Sequence, residues 1–167
     1  MQATPGRPSG FWSLPESLLL AIQRVEAGGW NADLSSVVAW PWTIMAENKG
    51  RFLPSKRAAV HEVARLRARG VRNIDVGCMQ INLHYHGGAF ESVEQALDPA
   101  FNVAYGAKFL TGLQDRHGDW PTAIAHYHSA TPGLGGKYFA KVEAAWRAER
   151  GPRPREGTFR PGAAAQF

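Results

Sequence analysis

The stretch NIDVGCMQINLHYH, residues 73–86, decides the fold of this chain. It suits neither a helix nor a regular strand, because Asp75, Gly77 and two amide residues, Gln80 and Asn82, interrupt its apolar positions. Glycine permits a tight turn, and amide side chains both donate and accept hydrogen bonds. The stretch therefore predicts a turn whose polar side chains face a substrate-binding site.

Upstream of this turn, the segment LLLAIQRVEAGGW, residues 18–30, predicts a helix that ends in an acidic residue. Leu19, Ile22 and Glu26 are spaced at i, i+3 and i+7, which places the Glu26 carboxyl group on the apolar face of the helix. Burial and the negative end of the helix dipole both raise the pKa of a carboxyl group. Glu26 is therefore a candidate general acid, and the alternative is a surface charge at the end of a helix.

Capping residues predict the other helices of the chain. Ser13 with Glu16 three residues later forms a capping box, and Gly28 with Gly29 supplies a stop, so the first helix is expected over residues 14–27. Further capping residues predict helices over residues 55–69, after Ser92, over residues 98–117, from Asp119 through Ser129 and over residues 137–148.

A β-hairpin is predicted between the first two helices. SSVVAWPWTI, residues 35–44, and GRFLP, residues 50–54, carry β-branched and aromatic residues on either side of the turn-like AENKG. The fold class expected from all these elements is α+β, mainly α, with a small β-hairpin insertion.

The two ends of the chain are rich in proline, glycine and small residues. We expect residues 1–12 to be a flexible leader, residues 13–149 to form one domain that acts as a monomer, and residues 150–167 to be a disordered tail. The chain shows neither a signal peptide nor an apolar run of membrane-spanning length, so we expect no stable membrane insertion. If the protein is exported, this sequence begins after the cleavage site.

The chain is basic, with a formal net charge of +5 and a sequence pI near 9.7. This charge favours an anionic partner, which could be nucleic acid, a membrane surface or an acidic polymer such as the bacterial wall. Nucleic acid is not expected, because no recognised motif places basic and aromatic residues on one element.

Cysteine and histidine residues offer two further site hypotheses. Cys78 with nearby histidines supplies the residue types of a cysteine peptidase, although a thiol within an apolar run is usually buried and inert. The tripeptide HYH occurs at residues 84–86 and 126–128, and such pairs chelate zinc when they lie on strands. A helix splays the second pair apart, so we expect the histidines to bind no metal.

The segment DVGCMQIN, residues 75–82, is similar to the Asp-x-Gly-Leu-Met-Gln-Ile-Asn segment of lysozyme-like lytic transglycosylases, the peptidoglycan-cleaving enzymes that include those serving flagella and secretion systems. In that family a helix ending in a catalytic Glu precedes the segment, as AIQRVEAGG does here. A later AYNAG-type motif lines the cleft, and this chain has AHYHSATPG, residues 125–133, in that place. The resemblance covers residues 14–146 and implies a lysozyme-like fold.

The resemblance implies cleavage of the β-1,4 bond between N-acetylmuramic acid and N-acetylglucosamine in the periplasm, without metal or organic cofactor. Glu26 would act first as acid and then as base, and a 1,6-anhydro ring would form on the muramic product. The implied substrate-binding residues are Asp75, Gln80, Asn82, Tyr127, Ser129 and Met79, of which Met79 is expected to pack beneath the cleft. His128 and Ser129 depart from the family, which usually has Asn and Ala there.

Two alternatives stay open. The segment also resembles the Asp-Tyr-Gly-Ile-Leu-Gln-Ile-Asn of animal lysozymes, so Glu26 with Asp75 could hydrolyse the same bond. Asp75 could instead orient substrate or only cap its turn. A different class is a wall-binding assembly scaffold that keeps the cleft without turnover.

Overall fold

The computed structural model describes residues 14–31 and 35–151, which form seven α-helices and two small antiparallel sheets. The helices are α1 (Leu18–Ala27), α2 (Lys56–Ala68), α3 (Leu83–His86), α4 (Val93–Ala96), α5 (Pro99–His117), α6 (Trp120–His128) and α7 (Pro132–Glu149). The strands are β1 (Gly28–Asn31), β2 (Ser36–Ala39), β3 (Thr43–Ala46), β4 (Lys49–Phe52), β5 (Ile74–Val76) and β6 (Ile81–Asn82). The predicted α+β, mainly α class is confirmed.

Four helices begin at the capping residues that the sequence predicted. The side chains of Ser55, Ser92, Asp98 and Asp119 each accept a hydrogen bond from a backbone N–H in the first turn of α2, α4, α5 and α6. Each of these bonds satisfies one of the amide groups that a helix start leaves without an intrahelical partner. The predicted cap Ser13, the leader over residues 1–12 and the tail beyond residue 151 lie outside the described residues. Within those residues, no helix combines the length and apolar character needed to cross a membrane.

Two helices begin at other positions than predicted. Helix α1 starts at Leu18 rather than at residue 14, because Ser17 has a left-handed backbone with φ 62° that does not continue a right-handed helix. Helix α7 starts at Pro132 rather than at residue 137, with proline in the first turn where its missing N–H costs nothing. Gly135 has a low helix propensity, but a side chain does not fit at this position, because a Cβ there would lie only 2.8 Å from the Ser129 carbonyl oxygen.

The predicted hairpin is in fact part of two sheets. Strand β3 pairs with β4 around the turn at Glu47 and Asn48, as expected, but β2 pairs with β1 directly after helix α1. Gly28 allows this arrangement, since a Cβ there would overlap the Arg24 carbonyl oxygen and lie 2.8 Å from the Val37 side chain. Gly28 therefore lets strand β2 run close against the helix that carries Glu26.

The larger sheet has the strand order β4-β3-β5-β6 and presents the sequence segment on which the resemblance rests. Asp75 in β5 lies opposite Met45 in β3 and Asn82 in β6. A tight turn joins β5 to β6, and Gly77 in this turn has φ 83°, a left-handed conformation that glycine adopts without strain. The turn expected from residues 73–86 is thus present as the loop of a short hairpin.

Two clusters of buried apolar residues flank a cleft. The helical core joins α1, α5, α6 and α7 with the β5–β6 turn and includes Leu18, Ile22, Met79, Leu110, Ile124 and Val142. The sheet core joins the larger sheet with α2 and α4 and includes Ile44, Val63, Leu66, Ile74, Val76, Ala96 and Leu97. Burial of these side chains from water is the main stabilising contribution to both parts.

Asn102, a fully buried polar residue of α5, ties the two cores together. Its side-chain oxygen accepts from the Met79 N–H at 2.8 Å, and its amide nitrogen donates to the carbonyls of Val76 and Ala96 at 3.0 and 2.9 Å. These bonds fix the backbone of the β5–β6 turn, on which Gln80 lies.

Candidate active site

A cleft of about 710 Å³ lies between the two cores and collects residues from distant parts of the sequence. Its lining comprises Val25, Glu26, Met45, Asn73, Asp75, Gln80, Ile81, Asn82, Tyr85, His86, Phe109, Tyr127, His128, Leu134, Lys137, Tyr138 and Lys141. The predicted residues Glu26, Asp75, Gln80, Asn82 and Tyr127 are therefore brought together, whereas Met79 and Ser129 are not in the lining.

Glu26 lies at the last turn of α1 with its side chain partly buried in the wall of the cleft. Burial raises the pKa of Glu26 from 4.5 to about 7, the hydrogen bond from Tyr138 lowers it, and the nearby charge of Asp75 raises it again. The Tyr138 hydroxyl donates to Oε1 of Glu26 at 2.6 Å. Glu26 can therefore hold a proton near neutral pH and donate it from a fixed orientation.

Asp75 is the second carboxyl group of the cleft, and Asn82 holds it. The Asn82 amide nitrogen donates to Oδ1 of Asp75 at 2.6 Å and also to the side-chain oxygen of Asn73. Burial raises the pKa of Asp75, while the hydrogen bond from Asn82 and the charges of His128 and His86 oppose this rise. Asp75 is thus held at the cleft wall in a defined orientation.

The side-chain amide of Asn82 is fully engaged within the protein. Besides its two donated bonds, its oxygen accepts from the backbone N–H groups of His84 and Tyr85 and so caps helix α3. An amide has two donor hydrogens and two acceptor positions, and all four are used here. This gives Asn82 a positioning role toward Asp75, and the sugar-binding role that the resemblance implies would require a sugar to replace one of these four bonds.

Gln80 and Met79 occupy the β5–β6 turn in different ways. Gln80 lines the cleft, and its amide nitrogen donates to the backbone carbonyls of Thr43 and Gly77 at 3.2 and 3.0 Å. Its φ of 45° is left-handed, which is uncommon for a residue with a side chain and indicates a constrained turn. Met79 is fully buried against Gly106 of α5, as expected for a residue beneath the cleft, so its side chain does not line the site.

The motif at residues 125–133 contributes Tyr127 to the cleft but directs Ser129 elsewhere. The Tyr127 hydroxyl donates to the Met79 carbonyl at 2.9 Å, so it braces the β5–β6 turn rather than contacting Glu26. Ser129 ends α6, and its hydroxyl accepts from the backbone N–H of Thr131. The aromatic ring of Tyr127 is thus available to a sugar face in the cleft.

Two histidines of the cleft support aromatic residues. His86 forms a 2.9 Å hydrogen bond through Nδ1 with the Tyr105 hydroxyl, and burial lowers its pKa despite the charge of Asp75. His128 stacks on Tyr138 with ring centroids 4.7 Å apart and an interplanar angle of 9°. His128 therefore covers the tyrosine that bonds Glu26.

The geometry does not support the cysteine peptidase and zinc hypotheses. Cys78 is buried and desolvation raises its pKa, so its thiol stays protonated and unreactive at neutral pH. Both HYH segments lie on helices, α3 and α6. Over residues 14–31 and 35–151, no three His, Cys, Asp or Glu side chains converge as metal ligands would.

Sequence reasoning missed two residues of this site. Tyr138 lies in the helix predicted over residues 137–148 but was not among the predicted site residues, although it is the hydrogen-bond partner of Glu26. Asn102 drew no attention, although a polar side chain four residues after the cap Asp98, next to apolar Val103, is a signal that its amide has buried partners.

Comparison with known families identifies the family of the chain. Residues 8–145 match the family model described as "Transglycosylase SLT domain". No curated protein and no solved structure matches the chain.

Proposed function

Since the chain belongs to the transglycosylase SLT domain family, and is therefore a lytic transglycosylase of peptidoglycan, we propose that Glu26 is its single catalytic acid and base. The observation that carries this proposal is the Glu26 carboxyl group in the cleft wall, oriented by a hydrogen bond from Tyr138, where desolvation raises its pKa to about 7. A group with this pKa is protonated in part of the population at neutral pH and is also a competent base after it has lost the proton.

The reaction uses the same carboxyl group twice. Glu26 first donates its proton to the glycosidic oxygen of N-acetylglucosamine, and the bond from this oxygen to C1 of N-acetylmuramic acid breaks. The muramic C6 hydroxyl then bonds to C1 through its oxygen and returns its proton to the Glu26 carboxylate. The product carries a 1,6-anhydro ring, no water is consumed, and Glu26 ends protonated as it began.

The other cleft residues hold the substrate and the acid in place. The Tyr138 hydroxyl engages Oε1 of Glu26, which leaves the second carboxyl oxygen to face the scissile bond. Asp75, held by Asn82, orients the sugar and places a negative charge where positive charge develops at C1. Tyr127 offers an aromatic face and Gln80 the oxygen of its side chain.

The products distinguish a transglycosylase from a hydrolase. We would digest purified peptidoglycan, reduce the products with borohydride and weigh them, with a hydrolytic muramidase as the reference for hydrated ends. Muramic ends that resist reduction and are lighter by one water are expected. Predominantly reducible ends would instead establish hydrolysis by Glu26 with Asp75, and no released product at all would favour the wall-binding scaffold.

A variant tests the role of Glu26 directly. Glu26→Gln keeps the size of the side chain and can still accept from Tyr138, but it cannot donate and retake a proton. We expect a folded protein whose muralytic activity falls by at least about 10³-fold, a loss in the range of an essential acid–base residue. Retention of most activity in a folded variant would show that another group performs the proton transfers.

The place of action is also part of the proposal. Peptidoglycan lies outside the inner membrane, so the protein acts in the periplasm, where its +5 charge suits an anionic wall. Fractionation of cells that express the tagged native gene tests the periplasmic location, and recovery in the cytoplasm would contradict it.

The resemblance to enzymes that serve flagella and secretion systems supports local opening of the wall for such a machine. Assembly of these envelope machines in a Glu26→Gln strain tests this role, and normal assembly would contradict it.

A further inference from the structure

Helix α7 turns one face toward the cleft, and this face carries two lysines that the proposed chemistry does not use. Leu134, Lys137, Tyr138 and Lys141 are spaced at i, i+3, i+4 and i+7 and all line the cleft. Tyr138 is buried and bonds Glu26, whereas both lysines are exposed. The helix that positions the acid therefore also lines the cleft with two positive charges.

Neither lysine is neutralised by an acidic side chain in the described part of the chain. Within residues 14–31 and 35–151, no acidic side chain forms an ion pair with Lys137 or Lys141. Two acidic residues of the same helix are engaged elsewhere, Glu143 with Arg147 and Glu149 with Arg24. The charges of the two lysines are therefore available to a ligand.

The two ammonium groups do not serve the proton transfer either. An ammonium group beside Glu26 would stabilise its carboxylate and lower its pKa. The charge that acts on the pKa of Glu26 is that of Asp75, which raises it, and no lysine contributes. The pKa of Glu26 is therefore independent of both lysines.

The positive charge is confined to one wall. Among the described residues that line the cleft, Lys137 and Lys141 are the only lysines or arginines, and the opposite wall carries Asp75. The N-acetyl sugars of a glycan strand are uncharged apart from their lactyl substituents, which in peptidoglycan are amidated by stem peptides. The anionic groups of the substrate are then the free carboxylates of these peptides, which a cationic wall attracts.

We propose that Lys137 and Lys141 form a subsite for the carboxylates of the stem peptide on the muramic residue at the cleavage point. The enzyme then selects strands that still carry stem peptides over strands from which an amidase has removed them. This inference rests on the proposed function, because it assigns the same cleft its substrate specificity.

The test compares two substrates from one peptidoglycan preparation, strands with stem peptides and strands stripped by an amidase. The measured quantity is the ratio of kcat/KM for the peptide-bearing strands to kcat/KM for the stripped strands. We expect the ratio to fall about threefold per lysine in Lys137→Gln and Lys141→Gln at low salt, as for exposed ion pairs, and about tenfold in the double variant. Lys137→Arg with Lys141→Arg should restore it, and Lys→Glu at both positions should lower it further.

Controls separate this effect from folding and from general electrostatics. Lys108 is an exposed lysine of α5 outside the cleft lining, and Lys108→Gln should leave the ratio unchanged. In the wild type the ratio should approach one at about 1 M salt, where the Debye length is about 3 Å.

The outcomes distinguish this inference from the proposed function. If the wild type forms anhydro products from both substrates and the double Lys→Gln variant keeps the wild-type ratio, the subsite is overturned and the proposed function stands. An equal loss on both substrates would also overturn it, because a peptide subsite acts only on strands that carry peptides. If the wild type forms anhydro products from neither substrate, the proposed function itself fails.

Discussion

The Tyr138 hydroxyl donates a 2.6 Å hydrogen bond to Oε1 of Glu26, across 112 residues of sequence. This bond connects α7 to α1 and opposes the effect of burial, since a donor to a carboxylate favours the ionised form. Asp75 has the opposite effect on Glu26 through its negative charge. Burial raises the proton affinity of the catalytic group, and two neighbours then adjust it in opposite directions.

Tyr138→Phe should raise the pKa of Glu26, because the hydrogen bond that favours the carboxylate is lost. The free enzyme needs Glu26 protonated, so kcat/KM falls as pH rises through about 7, and this alkaline limb should move to higher pH in the variant. We expect kcat to fall at least about tenfold, as for a lost hydrogen bond to a charged group. The control is Tyr127→Phe, which should leave the alkaline limb in place, because the Tyr127 hydroxyl donates to the Met79 carbonyl and not to Glu26. A limb that stays in place or moves to lower pH would contradict the assignment.

Asp75→Asn should move the same limb in the other direction. Removal of the negative charge lowers the pKa of Glu26, so the alkaline limb of kcat/KM shifts to lower pH. Activity at pH 6 should fall only about tenfold if Asp75 orients the substrate, and the products should keep their anhydro ends. A loss as large as that of Glu26→Gln would instead make Asp75 an essential partner in the chemistry.

Glu26→Gln should stabilise the protein at alkaline pH. The folded protein binds the Glu26 proton more tightly than the unfolded chain, so the wild type loses stability as pH rises from 4.5 to about 7, by roughly 3 kcal/mol. Glutamine does not ionise, so the free energies of unfolding in urea should differ by up to this amount at pH 8 and converge near pH 4. Glu94→Gln, at an exposed position of α4, is the control. A difference independent of pH would show that burial of this carboxyl group is not costly.

Two glycines with the same backbone conformation should respond differently to alanine. Gly77 and Gly118 have φ of 83° and 84°, but a Cβ at Gly77 would overlap the side chain of Asn102, whereas at Gly118 nothing lies within 4 Å. We expect Gly118→Ala to cost about 1 kcal/mol from left-handed strain and Gly77→Ala about 3 kcal/mol with loss of activity. Urea unfolding measures both, and equal losses would mean that the contact with Asn102 does not constrain the turn.

Cys78 should prove dispensable for catalysis. Its thiol is buried and its pKa is raised by desolvation, so Cys78→Ala should keep activity within about twofold and lose about 1 kcal/mol of stability from the lost packing. A thiol reagent should react with the native protein far more slowly than with the unfolded chain. Abolished activity in a folded Cys78→Ala variant would reopen the cysteine hypothesis.

Local sequence signals predicted most helices and the position of the acid. The caps Ser55, Ser92, Asp98 and Asp119 each mark a helix start through a bond that spans two or three residues, which a sequence pattern can encode. Glu26 was placed by helical spacing on the apolar face of α1, and its burial raises its pKa as expected.

Non-local pairing could not be predicted in the same way. The partner of strand β2 is β1 rather than β4, because Gly28 leaves space for a strand beside α1, and that space exists only in the folded chain. Tyr138 fits an apolar stripe of α7 equally well whether its hydroxyl finds a partner or not, so its bond to Glu26 left no sequence signal. The early start of α7 was hidden by the low helix propensity of its glycines, of which Gly135 packs against Ala125 of α6.

Asn102 sets how the cleft can move. Its three buried hydrogen bonds join Met79 of the helical core to Val76 and Ala96 of the sheet core. If one core rotated away from the other at this junction to open the cleft, the hydrogen bonds of the Met79 N–H and the Val76 and Ala96 carbonyls would break. Each buried group left without a partner would cost about 1–3 kcal/mol of free energy. The two walls therefore lack a hinge at this point, and the width of the cleft beside Asn102 is set before a glycan strand binds.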